Sequence, residues 1–404
     1  MSNTINRIVL AYSGGLDTSF CIPYLKEHYK AEIHAVSVDC MGADATENEA
    51  LIAKARTFGA DYAEVLDGLN PMYEKIIQPL IMGNVLKDRT YPLCVGSERF
   101  IQALLINEYA RSVKADAVAH GSTGAGNDQI RFDVALRTLA PELTIITPIR
   151  DEALTRAFTS NYLRERGFEI PQKTTDYSVN KGIWGTTVGG KETTVSDQAL
   201  PMSVWPELPV WHEMQDTPET IRLSFLKGLP CAINGKPMPA ILLLQTLRNL
   251  GIKHGIGRGM HLGDTILGFK GRVGFEAPVA TLIYAAHREL EKLVLTQAQR
   301  HIKDQLADQY GLMLHEGKYF DPVMRDIEAF FQSTQSYVEG EVELYLYRGH
   351  ALAVSSSSPY SLMNQNVARY GEEAQGWTGT EARAYAKLYS IASQVSWRGE
   401  QQPS

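Results

Sequence analysis

The sequence predicts an α/β fold: a parallel sheet with helices on both faces, then an α+β segment, then a C-terminal helical arm. Three observations predict it. Strand and helix patterns alternate over roughly the first 150 residues, the rhythm of a parallel sheet. The first strand run is continuously apolar, as in strands buried on both faces. Glycine-rich turns follow directly on two of these runs, where ligands of such sheets sit. The expected divisions are 1–165, 166–365 and 366–404.

In chain order, Ile8-Val9-Leu10-Ala11 reads as the first strand, and a glycine-rich turn leads into a helix to about Tyr29. Ile33–Asp39 is the second strand. Glu47–Phe58 is a helix with acids in its first turn and Gly59 as its stop. Tyr62–Leu66, Ala117–Ala119 and Leu143–Thr147 are further strands, separated by helices at Ser97–Val113 and Gln129–Leu139. After about Arg166 the rhythm breaks. Lys173–Gly190, with Gly182, Gly185, Gly189 and Gly190 among Ser, Thr and Tyr, reads as a long binding or crossing loop. Hairpins are expected at Ile221–Ile233, turning at Lys227-Gly228, and at Glu341–Val354, turning at Arg348-Gly349. Helices are expected at Ile241–Leu250, Ala280–Leu295, Ala298–Tyr310 and Val323–Phe331. A last one, at Thr380–Val395, is expected to dock on a neighbour, for want of a core of its own.

Composition narrows the function. Lys plus Arg is 39 against 46 for Asp plus Glu, a net charge of −7, which argues against clamping a nucleic-acid backbone. Cys21, Cys40, Cys94 and Cys231 form no Cys-x-x-Cys pair and no disulfide scaffold. No apolar run approaches the roughly 20 residues that cross a bilayer, and no apolar signal core follows Met1–Asn6. A cytoplasmic protein with no membrane partner is expected.

Two loops carry the chemistry. Ala11-Tyr12-Ser13-Gly14-Gly15-Leu16-Asp17-Thr18-Ser19 joins a buried strand to a helix. Its glycines let backbone amides approach an anion, the helix N-terminus adds its dipole, and Ser13, Thr18 and Ser19 add hydroxyls. Asp17 offers a carboxylate to a metal or an amide. No lysine stands where a Walker loop demands one. The second loop, His120-Gly121-Ser122-Thr123-Gly124-Ala125-Gly126-Asn127-Asp128, also joins a strand to a helix, with Arg131 a turn further along. A capped helix start would account for Asn127 or Asp128 alone. It would not account for Gly, Thr, Asn, Asp and Arg crowding one loop.

The first loop resembles the pyrophosphate loop of the ATP pyrophosphatase superfamily, whose members adenylate a substrate oxygen and release pyrophosphate. The second resembles the signature of the argininosuccinate synthase family within it. The resemblance continues through Lys253–Arg258, Ala285-Ala286-His287 and Ser358–Leu362, and so spans nearly the whole chain. It implies ATP-dependent ligation of citrulline and aspartate through a citrullyl-adenylate, with Mg²⁺, in a homotetramer wrapped by C-terminal arms. It implies ATP contacts from Ala11 through Ser19, Val38 and Gly121, and aspartate contacts from Thr123, Asn127 and Asp128. Citrulline contacts are implied for Tyr91, Arg99, Asn127, Arg131, Ser178 and Thr187.

The match is uneven. The family's Gly-Thr-Ser after the tyrosine is replaced by Cys94-Val95-Gly96-Ser97, and Ala125 replaces a common lysine. A citrulline-facing glutamate falls at Gly263 and a tyrosine at Phe275. Two expectations follow: Asp264 swings in to supply the acid, or the glycine makes room for a citrulline whose amino group is acylated. Rival functions fit less well. A tRNA-modifying enzyme needs a cysteine pair and a basic face, a glutamine-dependent synthetase needs a glutaminase domain, and a non-catalytic nucleotide sensor has no use for the second loop.

Overall fold

The computed structural model describes residues 4–124, 126–169, 177–363, 367–371 and 373–400. Ala125 and the start of the segment from Lys173, through Asp176, lie outside them. Two compact units divide the chain, Met1–Ser358 and Pro359–Ser404.

The first unit opens with strand β1 (Arg7–Ala11), helix α1 (Leu16–Tyr29), β2 (Glu32–Asp39), α2 (Ala45–Thr57) and β3 (Tyr62–Asp67). Helix α3 (Glu98–Ser112), β4 (Ala117–His120), α4 (Asn127–Leu139) and β5 (Thr144–Ile146) complete the α/β part. The strands pair in parallel in the order β3-β2-β1-β4-β5. Alternation along β1 explains its apolar run. Ile8 and Leu10 pack with Phe20 and Leu25 of α1, whereas Val9 packs into the cluster holding Phe100 and Ile101 of α3. Each such buried side chain contributes roughly 1.5–3 kcal/mol. Helix α2 begins two residues earlier than expected because Asp44 and Glu47 form a capping box.

The order reverses between β1 and β4, so the loops after these two strands emerge side by side. That juxtaposition builds the site. Residues 69–83, absent from the sequence reading, are helical, with a wide turn over Tyr73–Ile77. Ile76, Ile77, Leu80 and Ile81 are buried, while Asn70, Glu74 and Lys75 are exposed.

Beyond residue 176 the expected long loop is instead a hairpin, β6 (Tyr177–Lys181) with β7 (Thr186–Gly190). Thr186-Thr187-Val188 is buried and pairs with a later strand, and Gly182 and Gly185 serve close packing rather than looseness. A Cβ on Gly185 would sit 2.7 Å from Cys94 Sγ. The hairpin β8 (Glu219–Leu226) and β9 (Leu229–Ile233) turns at Lys227-Gly228 as expected, both at positive φ. It joins the short β10 (Lys236–Pro237) and, across β8, the later pair β13 (Gly340–Tyr347) and β14 (His350–Ser357). Strands β11 (Arg258–Asp264) and β12 (Lys270–Glu276), absent from the sequence reading, pair with each other and with β7. Four glycines among their 14 residues hid them.

The second unit holds helices Gly379–Tyr389 and Ile391–Glu400 rather than one continuous helix. The break falls at Ser390, whose hydroxyl donates back to the Lys387 carbonyl. These helices carry exposed Tyr385, Leu388, Tyr389, Val395 and Trp397.

Candidate active site

A cavity of about 570 Å³ opens where the β1 and β4 loops meet, a volume suited to a small-molecule site. Ala11, Tyr12, Ser13, Gly15, Leu16, Asp17, Thr18, Val38 and Gly121 all line it. Gly14 has φ +71°, and a Cβ there would lie 2.5 Å from Leu51 Cδ1. Its carbonyl accepts from Lys54 Nζ at 2.6 Å, which ties the loop to α2. Ser13 Oγ and Thr18 Oγ1 lie 3.1 Å apart, and no side chain caps α1. The first-turn amides are thus open to an anion. Asp17 accepts no hydrogen bond from the described residues; burial pushes its carboxyl up, with Arg156 opposing. Ser19 turns away from the cavity: it is buried, 3.4 Å from the Tyr12 hydroxyl. Gly121 is required by close approach, since a Cβ there would lie 3.2 Å from the backbone of Asp17 and Thr18.

The second loop leads into α4 and an ion-pair chain. Asp128 accepts from Arg99 Nε at 3.1 Å through Oδ2 and from Arg131 at 2.9 Å through Oδ1. Burial raises its carboxyl, but the two arginines outweigh that and hold it below the ordinary range. Arg131 also donates to the His315 carbonyl at 3.0 Å and lies 3.2 Å from His315 Nδ1. Burial and then Arg131 push His315 down to about 4, so its neutral ring accepts from the guanidinium. Asn127 Oδ1 accepts from the Ile266 amide at 3.0 Å, joining the loop to the β11–β12 turn, and Thr123 is exposed. The Gly-Thr-Ser departure acquires a reason here. Gly96, at φ +94°, leaves the space into which Arg131 packs, for a Cβ on it would meet Arg131 at 2.7 Å. Gly96→Ala is accordingly expected to displace that guanidinium and to destabilise the fold by about 0.5–3 kcal/mol, measured by denaturant unfolding.

Tyr91, Thr187, Phe275 and Gly263 gather beside the cavity rather than in its lining. The Tyr91 ring stacks on His261, with centroids 5.1 Å apart, and packs on Phe275 at 5.5 Å. Thr187 is the β-sheet partner of Phe275. Ser178, on β6, is exposed, while Val179, Asn180 and Lys181 beyond it line the cavity.

Both expectations drawn from Gly263 are corrected. A Cβ on Gly263 would lie 2.6 Å from His261 Nε2 and 2.8 Å from Asp88 Oδ2, so the glycine does not leave room. Asp264 does not swing in, for it is exposed and pairs with Lys270 at 2.6 Å. The carboxylate at this point is that of Asp88, 2.7 Å from the ammonium of the buried Lys87. Glu98 and Gln102, on α3, also line the cavity and were missed. Their only signal was position, one residue before and three after Arg99.

A family model described as the arginosuccinate synthase N-terminal HUP domain matches residues 7–169, and the arginosuccinate synthase C-terminal domain matches 177–396. The argininosuccinate synthase of Xanthomonas campestris is 37% identical over 398 residues, 96% of this chain and 97% of that protein. The chain belongs to the argininosuccinate synthase family. Argininosuccinate synthases of Xylella fastidiosa (36% over 405 residues, 97% of each chain) and Methanocaldococcus jannaschii (36% over 367 residues, 90% of this chain and 92% of that one) agree. These comparisons lend the acylated-citrulline alternative no support. Among the described residues no helix is long and apolar enough to cross a membrane.

Proposed function

We propose that this chain ligates L-citrulline to L-aspartate at the expense of ATP, giving argininosuccinate, AMP and diphosphate, within arginine biosynthesis. The observation that carries the reading is the adjacency of two loops at the switch between β1 and β4. One presents open helix amides, and the other an aspartate held between two arginines. In the first step the citrulline ureido oxygen attacks the α-phosphorus and pyrophosphate leaves. In the second the aspartate amine attacks the ureido carbon and AMP leaves. Catalysis rests on positioning and on neutralising phosphate charge.

Ser13, Gly15 and Thr18 receive the pyrophosphate, with Gly14 fixing the turn, and Val38 borders the base. Asp128, with Thr123 and Asn127, receives aspartate. Arg131, Tyr91, Thr187 and Ser178 border citrulline, with Arg99 facing a carboxylate. Mg²⁺ arrives with the phosphates. The described residues hold no cluster of three His, Cys, Asp or Glu to bind it alone, but the Asp17 carboxylate and the Ser13 and Thr18 hydroxyls are the hard oxygen donors it takes. Bound there, it would offset the charge of the departing pyrophosphate. Citrulline-dependent exchange of labelled pyrophosphate into ATP tests the first step; exchange indifferent to citrulline would contradict it.

The protein works in the cytoplasm as a homotetramer, without nucleic-acid or membrane partners. The exposed apolar side chains of the terminal helices support assembly through the arm. Truncation after Ser361 is expected to convert the tetramer into smaller species by light scattering, and a tetramer that survives it would contradict the assignment.

A further inference from the structure

Helix α3 starts at Glu98, whose carboxyl the two-step scheme above leaves without a task. Glu98 is only 9% exposed, yet it lines the cavity with Asp17, Arg99 and Asp128. Its Oε1 lies 3.6 Å from the Arg99 guanidinium, while Oε2 has no hydrogen-bond partner. A buried carboxylate oxygen without a donor is unfavourable, so the arrangement is completed only when a donor or a proton reaches it.

The groups facing Glu98 define what it can accept. Arg99 comes from its own helix, Asp128 from α4, Cys40 from the end of β2, and Tyr91 and Cys94 from the segment before α3. Arg99 is the sole cation among them and is shared with Asp128. Burial pushes the Glu98 carboxyl up; Arg99 opposes this and Asp128 adds to it. Nearby proton acceptors are engaged. Both oxygens of Asp128 are bonded to arginines. His120 is held at Nε2 by Asp133 (2.9 Å) and at Nδ1 by the Ser122 amide (3.4 Å). Asp17 stands at the phosphate loop, whereas Glu98 stands beside the place assigned to aspartate.

We propose that the buried, unpartnered oxygen of Glu98 receives the ammonium of the aspartate substrate and takes the proton that must leave before the nitrogen can attack. The inference rests on the placement of aspartate at Asp128. With one proton on Glu98, the nitrogen lone pair forms the C–N bond to the ureido carbon. The C–O bond to AMP then breaks with its electron pair on the phosphate oxygen, which takes the second amine proton. A guanidinium remains, and Glu98 returns its proton to water when product leaves.

The test compares the half reaction with the full one in the intact enzyme. Glu98→Gln should keep citrulline-dependent pyrophosphate exchange within about threefold of the parent. Its ligation should fall by about 10²- to 10⁴-fold, the usual contribution of a general base. In the parent, kcat/KM for aspartate should fall as pH drops through a value above the ordinary carboxylate range, and this limb should vanish in Glu98→Gln. Glu98→Asp keeps the carboxylate and should keep the limb at reduced rate, which also guards against a Gln variant that fails to fold. Ligation by Glu98→Gln near the parent rate with the limb in place would overturn the proposal. So would equal losses of exchange and ligation, or loss of the limb in Glu98→Asp. Failure of the parent itself to ligate, or an aspartate KM unmoved by Asp128→Ala, would instead indict the underlying assignment.

Discussion

Replacement of Gly14 by valine is expected to abolish pyrophosphate exchange, a loss of about 10³-fold or more. Two effects add. The residue sits at φ +71°, where a β-branched side chain is strained by about 1–3 kcal/mol. Its Cβ would also lie 2.5 Å from Leu51 Cδ1, so that side chain or the loop must give way. A change in the loop backbone loosens the Lys54 bond to the Gly14 carbonyl and re-aims the amides of Gly15 and the residues after it. The core beneath the loop, built from Ile8, Leu10 and Phe20, is untouched, so circular dichroism should report a folded protein. Exchange retained within about tenfold would show that the loop does not hold the phosphates.

Asp128→Ala separates the two steps. Its carboxylate is the shared partner of Arg99 and Arg131, and its loss should raise the aspartate KM or reduce ligation by about 10²-fold or more. Exchange should persist, because Arg131 is still held by the His315 carbonyl and ring. If exchange disappears instead, Asp128 serves the wrong substrate in this account. The pair also has a pH signature. The folded carboxyl lies below its unfolded value of about 3.9, so the stabilisation is complete above that value. It is lost as pH falls through the folded value. Denaturant unfolding of Asp128→Ala should show a shallower loss of stability in that acid window than the parent does.

The parallel sheet was legible because β1 and β2 are buried on both faces and announce themselves as apolar runs. The two loops were legible because glycine is costly to keep, and a Cβ at Gly14 or Gly121 would crowd a neighbour, at 2.5 and 3.2 Å. What stayed hidden was hidden for physical reasons. Strands β11 and β12 contain Gly259, Gly263, Gly271 and Gly274, and a Cβ on Gly259 or Gly274 would collide with a neighbouring ring. Their pattern therefore reports tight packing and not alternation. The exchange of a side chain at 263 for the carboxylate of Asp88 crosses about 175 positions, and no local pattern encodes such a contact. Glu98 occupies the first turn of its helix, where acids are ordinary, and only its unpartnered oxygen in the fold distinguishes it.

The central claim is the ligation itself. Incubation of the purified chain with ATP, Mg²⁺, citrulline and [¹⁵N]aspartate, followed by mass spectrometry, tests it directly. Equal amounts of AMP, pyrophosphate and a ¹⁵N-labelled argininosuccinate are expected, with none of the last when either amino acid is omitted. Formation of ADP, or release of AMP that takes no nitrogen from aspartate, would contradict it.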